Sequence, residues 1–170
     1  MGFFEIEQKY RLKDPAKARA ILKKIGAKRI ASGVETNEFY DRDGFFRKQK
    51  VALRLRQFGR GPAKLTLKGP RAKKARFTKR MEIETPVDLA ATRALLKFLE
   101  CRVLRRYAKR RELYKCGQTV VTVDFLKKFG WFLEIEGEPR SIGKIEKELG
   151  LGDGDREERS YLQMLFQWKH

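Results

Sequence analysis

Along much of its length the chain alternates, residue by residue, between apolar and polar or ionised side chains. Only an extended strand sorts such a pattern onto two faces. In Glu5-Ile6-Glu7-Gln8-Lys9, the residues Glu5, Glu7 and Lys9 share one face while Phe4, Ile6 and Tyr10 belong to the other. Arg54 and Arg56 sit together opposite Val51, Leu53 and Leu55, and Thr66 and Lys68 sit opposite Leu65 and Leu67. Arg80, Glu82 and Glu84 form one face against Met81 and Ile83. Lys109 and Arg111 share a face, with Leu113 breaking the pattern, and Thr122 and Asp124 share another. Glu134 and Glu136, backed by Leu133 and Ile135, repeat the opening carboxylate pair.

These stretches predict strands over residues 3–12, 51–56, 65–68, 78–85, 103–114, 119–124 and 131–136, with one strand or two short ones over 28–41. Gly69-Pro70 is expected to end the strand before it, and residues 45–50 are too short and mixed to assign. Asp14-Pro15 starts a helix whose stripe is Ala18, Ile21, Leu22 and Ile25, with Gly26 as its stop. Asp88 caps a second, with Leu89, Thr92, Leu95, Leu96 and Leu99 as its apolar stripe. Two more helices are expected over residues 141–149 and 156–168. Asp155 and Glu158 offer the last one a capping box, and Tyr161, Leu162, Leu165 and Trp168 give it a stripe.

About eight antiparallel strands with peripheral helices imply a strongly curved or closed sheet of the α+β class. Its charged faces have two possible meanings. They can point to water, as in any half-solvated antiparallel sheet. Alternatively, helices with apolar stripes dock on the apolar outside, and closure turns the charged faces inward. Neutral Ser and Gln are scarce on these faces, where paired Arg or Lys and paired Glu recur instead. A lumen lined with so many ions must stay wet or hold a charged ligand, because burying them dry is prohibitive. Arg pairs grip phosphate oxygens, and the carboxylate pairs supply the hard oxygen donors preferred by Mg²⁺ or Mn²⁺. Together they point to phosphoryl chemistry.

Composition narrows the field. A chain of 170 residues with 41% apolar content fits a single domain over 1–170 and argues against disorder. No apolar run approaches a membrane span and no signal-like start is present, so a cytoplasmic protein with no membrane association is expected. Cys101 and Cys116 lie in no CxxC or Cys/His cluster, and the sole histidine is the terminal His170. General acid–base work therefore falls to carboxylates, Lys, Arg and metal. The net charge of +19 draws anions, either nucleic acid or phosphorylated small molecules. No RNA-binding signature with interleaved aromatics is present, and the acidic pairs would repel a backbone. Nucleic acid stays a secondary partner for outer clusters such as Lys73-Lys74-Ala75-Arg76 and Arg105-Arg106.

The strings EIEQK at 5–9, LRLR at 53–56, LTLKGP at 65–70, RMEIE at 80–84, KRR at 109–111, VTVDFLKKFGWFLEIEGE at 121–138 and RSYLQML at 159–165 together resemble the CYTH family. That family is named for adenylyl cyclase and thiamine triphosphatase, and its members are also called triphosphate tunnel metalloenzymes. The resemblance spans nearly the whole chain in order. It implies a closed eight-stranded antiparallel tunnel with helices on the outside, binding a triphosphate with Mg²⁺ or Mn²⁺. By the same resemblance Glu5, Glu7, Glu134, Glu136 and Asp124 would ligate metal. Lys9 would contact phosphate or tune the attacking group, so that Lys9, Glu5 and Glu7 form the catalytic set. Arg54, Arg56, Lys68, Lys109, Arg111 and Arg80 would hold phosphates, with Glu82 and Glu84 organising the basic residues or assisting a metal. The short length, the KGP and the closing RSYxQxL resemble class IV adenylyl cyclases, which convert ATP to cyclic AMP and pyrophosphate. Similar small members hydrolyse inorganic triphosphate or thiamine triphosphate. A non-catalytic polyphosphate, nucleotide or RNA binding module would keep the basic residues but lose the carboxylates, and this chain keeps both. A homodimer is a further expectation from the resemblance.

Overall fold

The computed structural model describes residues 4–72 and 76–167. Most of the Lys73-Lys74-Ala75-Arg76 cluster, together with Trp168 and His170, lies outside the described residues. Eight antiparallel strands close into a barrel: β1 (Phe4–Arg11), β2 (Lys28–Asp41), β3 (Ala52–Phe58), β4 (Ala63–Arg71), β5 (Thr78–Val87), β6 (Arg102–Cys116), β7 (Thr119–Leu126) and β8 (Gly130–Glu136). The order around the barrel is β1-β5-β4-β3-β2-β6-β7-β8. β1 is thus adjacent to β8, and β3 stands across the barrel from β8. Residues 28–41 form one strand, paired along nearly its whole length with β6.

Because the sheet closes, each alternating strand turns its apolar side chains outward; helices cover those of β3, β7 and β8, while Met81 and Ile83 of β5 stay exposed. α1 (Pro15–Lys24) and α4 (Pro139–Leu149) pack Leu22, Ile142 and Ile145 against Tyr10, Val121, Val123, Leu133 and Ile135. Full burial of side chains of this size contributes about 1.5–3 kcal/mol each, so much of the fold's stability lies outside the barrel wall. α3 (Leu89–Phe98) covers Tyr40, Leu53, Leu55 and Ala63 through Leu96. The Asp14 and Asp88 carboxylates cap α1 and α3, accepting from the amides of Lys17 and Ala91. Among the described residues no helix is long and apolar enough to cross a membrane. Both cysteines are free thiols.

The structure departs from the sequence reading at four places. Gly69-Pro70 lies inside β4, where the register shifts between Lys68 and Arg71. A bulge tolerates a residue without an amide hydrogen, so the proline does not end the strand. Residues 45–48, whose mixed pattern specifies no element, form the single-turn helix α2 (Phe45–Lys48). Only Leu96 of the α3 stripe is buried, while Leu95 and Leu99 are exposed. Finally, α5 (Tyr161–Gln167) begins five residues later than the spacing predicts. Arg156 bridges to Tyr10, and the Glu157 amide donates to the Lys9 carbonyl, so this segment runs extended beside β1. The capping box belongs to Ser160 and Gln163, each side chain accepting from the other's amide. Asp155 instead closes a short 3₁₀ turn at Asp153–Asp155 by accepting from Gly152.

α5 lies across one end of the barrel, where Tyr161 and Met164 pack on Phe132 and Leu126. The lumen therefore has an apolar floor beneath its charged walls.

Gly137, just past β8, donates its amide to the Ile6 carbonyl. A Cβ there would stand 2.9 Å from Thr119 Oγ1 and 3.2 Å from its Cγ2. Thr119 is buried and β-branched, so it cannot swing aside. Gly137→Ala is expected to destabilise by about 1–3 kcal/mol, read as a lower midpoint in thermal or urea unfolding.

Candidate active site

Closure brings the charged faces of the strands together around one cavity of about 390 Å³. Glu5, Glu7, Lys9, Arg54, Arg56, Lys68, Arg80, Glu82, Glu84, Lys109, Arg111, Glu134 and Glu136 all line it. Asp124 is the one sequence-predicted residue that does not; it is fully buried in the wall behind. There its carboxylate accepts from Arg111 Nε and NH2, each at 2.7 Å, from Lys109 Nζ at 2.9 Å and from the Tyr161 hydroxyl at 3.0 Å. Its oxygens are committed to holding cations.

Barrel order segregates the charge. On adjacent β1 and β8 the register pairs Glu7 with Glu136 and Lys9 with Glu134, gathering Glu5, Glu7, Glu134 and Glu136 on one wall. Arg54 and Arg56 of β3 come from the opposite wall. Between them, Lys68 lies 2.7 Å from both Glu5 and Glu82, and Arg80 bridges Glu5 at 3.4 Å and Glu7 at 2.5 Å. Glu84 accepts from Arg56 and Lys64 at 2.7 Å and from Thr66 at 2.9 Å. Arg111 reaches Glu134 at 2.7 Å.

Three features bear on what the lumen can hold. Arg54 Nε is buried and makes no hydrogen bond, and the nearest carboxylate to that guanidinium, Glu82, is 3.9 Å away. An unpaired guanidinium donor is costly unless an acceptor arrives, and a phosphate oxygen is one. Next, burial lowers the Lys9 ammonium from its ordinary range, although Glu134 and Glu7 pull the other way. Its Nζ lies 3.5 Å from Glu134, donates to the Arg159 carbonyl and sits 3.8 Å from the Tyr161 ring centre. Lastly, Glu136, although its side chain reaches water, is pushed up to about 7 by partial desolvation and by the neighbouring Glu5 and Glu7 carboxylates. Glu134 is the opposite case: burial alone would raise it, but Lys109, Lys9 and Arg111 hold it well below the usual carboxylate range.

The residues suit a divalent cation in their chemistry. They offer hard oxygen donors on adjacent strands, and Glu136 carries excess negative potential with no cationic side chain within 4 Å among the described residues. No three acidic groups converge into a ready-made cage among the described residues, since Glu5, Glu7 and Glu134 are turned toward Lys68, Arg80 and Arg111. Taking up an ion would release those cations toward the centre of the lumen.

The Glu136 environment predicts a pH effect. A carboxyl raised in the folded state contributes stability that is present below its unfolded value and lost as pH rises through about 7. In metal-free buffer the melting temperature should therefore fall between about pH 5 and pH 8. Glu136→Gln should flatten that slope, and Mg²⁺ should raise the melting temperature more at pH 8 than at pH 6.

Sequence reading missed Glu35, which is buried and lies 3.4 Å from Arg111 and 3.5 Å from both Arg56 and Lys109. It also missed the aromatic side of the cavity, where Phe39 stacks on Tyr107 at 6.1 Å and Tyr107 meets Tyr161 at 5.9 Å. In β2, Glu35, Asn37 and Phe39 face the lumen while Glu38 and Tyr40 face outward. Both parities thus carry polar groups, and the alternation that exposed the other strands is masked. The usable signal was pairing register, Glu35 opposite Lys109 and Asn37 opposite Arg56.

The CYTH domain family model matches residues 4–161. A Methanocaldococcus jannaschii protein named as a candidate adenylate cyclase is 33% identical over 149 residues, covering 85% of this chain and 83% of that protein. Among solved structures, one from Vibrio parahaemolyticus, described as a candidate adenylate cyclase, superposes with a TM-score of 0.87 at 26% identity, covering 98% of this chain and 99% of that one. A Hippeastrum protein, described as a candidate adenylyl cyclase with a dominant triphosphatase activity, superposes at 0.72 with 19% identity, covering 93% of each chain.

Proposed function

The chain belongs to the CYTH domain family, and on that premise we propose that it is a divalent-metal-dependent enzyme acting on a triphosphate in the barrel lumen, of the adenylyl cyclase type that converts ATP to cyclic AMP and pyrophosphate. The observation that carries the triphosphate reading is the unsatisfied Arg54 donor, set beside Arg56 and across the barrel from Glu5, Glu7, Glu134 and Glu136. A bare polyanion would be repelled by Glu5, Glu7, Glu134 and Glu136. A triphosphate carrying Mg²⁺ or Mn²⁺ complements both walls.

In this reading Arg54, Arg56, Lys68, Arg80, Lys109 and Arg111 orient the phosphate chain and stabilise charge as it develops on the departing oxygens. Glu5, Glu7, Glu134 and Glu136 hold the metal, which when bound neutralises phosphate charge and lowers the pKa of the attacking group. Asp124 keeps Lys109 and Arg111 in place, and Glu82 and Glu84 do the same for Lys68, Arg54 and Arg56. Lys9 in its neutral amine form, which burial favours, accepts the proton of the attacking hydroxyl. The ribose 3′-oxygen forms a bond to the α-phosphorus, and the bond from that phosphorus to the bridging oxygen breaks. Pyrophosphate leaves. Phe39 and Tyr107 offer a flat apolar surface in the same cavity, suited to a purine and of no use to inorganic triphosphate.

The second reading replaces the ribose hydroxyl by water attacking a terminal phosphorus, making a triphosphatase. The same residues serve it, because nothing in the cation and carboxylate walls depends on which group attacks, and the barrel is shared with a Hippeastrum protein described by that activity.

Incubating the protein with ATP, inorganic triphosphate or thiamine triphosphate, each with Mg²⁺ or Mn²⁺, and analysing products separates the readings. Cyclic AMP from ATP supports the cyclase. Orthophosphate from inorganic or thiamine triphosphate without cyclic product replaces it by the triphosphatase, and no turnover of any of the three removes both.

A further inference from the structure

A second cavity, of about 490 Å³, lies outside the barrel between α3 and the start of β6. Arg93 and Lys97 project into it from the helix, Arg102 and Arg106 from the strand, over a floor that includes Tyr40 and Val103. Beneath it, Glu38 is buried and holds two of these cations at once. Arg93 donates to it through Nε at 3.1 Å and NH2 at 2.9 Å, Arg106 through Nε at 3.1 Å, and the Tyr40 hydroxyl at 2.6 Å. One carboxylate thus orients two guanidiniums and leaves each with unused N–H donors. Their side chains remain 48% and 65% exposed, so those donors face the cleft and solvent. Lys97 and Arg102 have no acidic partner within 4 Å among the described residues, and Glu100 is the only acidic residue on the cleft wall. Positive charge is in excess, and the donors come from two elements and several directions.

We propose that this cleft is a second anion site, distinct from the lumen, that binds a small phosphorylated anion. A planar carboxylate can engage one fork of donors, whereas a phosphate dianion presents oxygens in several directions and suits cations converging from a helix and a strand. The volume lies in the range of small-ligand pockets. Arg93 and Arg106 are already locked by Glu38, so binding costs little side-chain ordering. β2 carries Asn37 and Phe39 toward the lumen and Glu38 and Tyr40 toward the cleft, so the two cavities share a wall but no lining residue.

Calorimetric titration with inorganic pyrophosphate tests this in two backgrounds. In Arg54→Gln/Arg56→Gln protein, which weakens the lumen, a binding event should remain. Adding Lys97→Gln/Arg102→Gln should weaken that event about tenfold or more, and acetate at the same concentration should not compete for it. The latter pair leaves the Glu38 network intact, so a matching melting temperature is expected. No residual event in the first background, an event unchanged by the second pair, or equal displacement by acetate overturns the proposal. None of these outcomes depends on whether the lumen turns over a triphosphate.

Discussion

Replacing Glu5 and Glu7 together by Gln is expected to lower metal-dependent turnover by about 100-fold or more while the protein stays folded. Both carboxylates stand on the acidic wall of the lumen, Glu5 at 2.7 Å from Lys68 and Glu7 at 2.5 Å from Arg80. Gln preserves side-chain length and one hydrogen-bond acceptor, so those neighbours keep a partner. What disappears is the paired negative charge that a divalent cation needs. Steady-state rates across a range of Mg²⁺ and Mn²⁺ concentrations, with melting curves as the control for folding, read the effect. Full activity in the double variant would refute the assignment of this wall to metal.

Asp124→Ala should act on stability instead. The carboxylate is fully buried and is the common anchor of Lys109, Arg111 and Tyr161. Its removal takes from Lys109 its closest counter-charge and from Arg111 one of the two carboxylates at 2.7 Å, and breaking a buried pair from one side costs about 3–5 kcal/mol. For a chain of this size the melting temperature should fall by about 6–20 °C. Asp124→Asn should lose less, because the amide oxygen still accepts from Arg111. A residue whose main duty was to ligate metal would behave differently: its loss would weaken metal affinity and leave the metal-free melting temperature almost unchanged. The family resemblance implies a metal-ligand role for Asp124, whereas its contacts are those of an anchor for Lys109 and Arg111. The melting temperature of metal-free Asp124→Ala separates the two.

The barrel was legible because alternation of charge with apolar side chains recurs on most strands, and the paired Arg, Lys and Glu on the polar faces, with apolar-striped helices to cover the other face, favour ions around a wet lumen over a half-solvated sheet. Arg54 and Arg56 illustrate why it worked: each is flanked by Leu on both sides in sequence or by Leu and Gln, and the parity alone fixes where both point. β2 was legible as a strand but not as a lumen wall, since Glu38 serves Arg93 and Arg106 outside while Glu35 serves Lys109 and Arg111 inside. A strand polar on both faces hides its register until its neighbours are known. The start of α5 was misplaced for a related reason. Asp155 and Glu158 have the spacing of a capping box, but residues 156–157 gain more by pairing with the end of β1, and tertiary contact overrides the local signal. As a result Tyr161 turns into the lumen floor beneath Lys9 and Lys109, which a stripe of apolar spacing could not reveal.

If the charged lumen binds a metal–triphosphate complex, titrating ATP with Mg²⁺ into the wild-type protein and into Arg54→Gln/Arg56→Gln protein should give sharply different affinities. Two lost charge-assisted contacts predict about a 100-fold or greater rise in the dissociation constant of the high-affinity event. Equal affinity in both proteins would place the triphosphate outside the barrel.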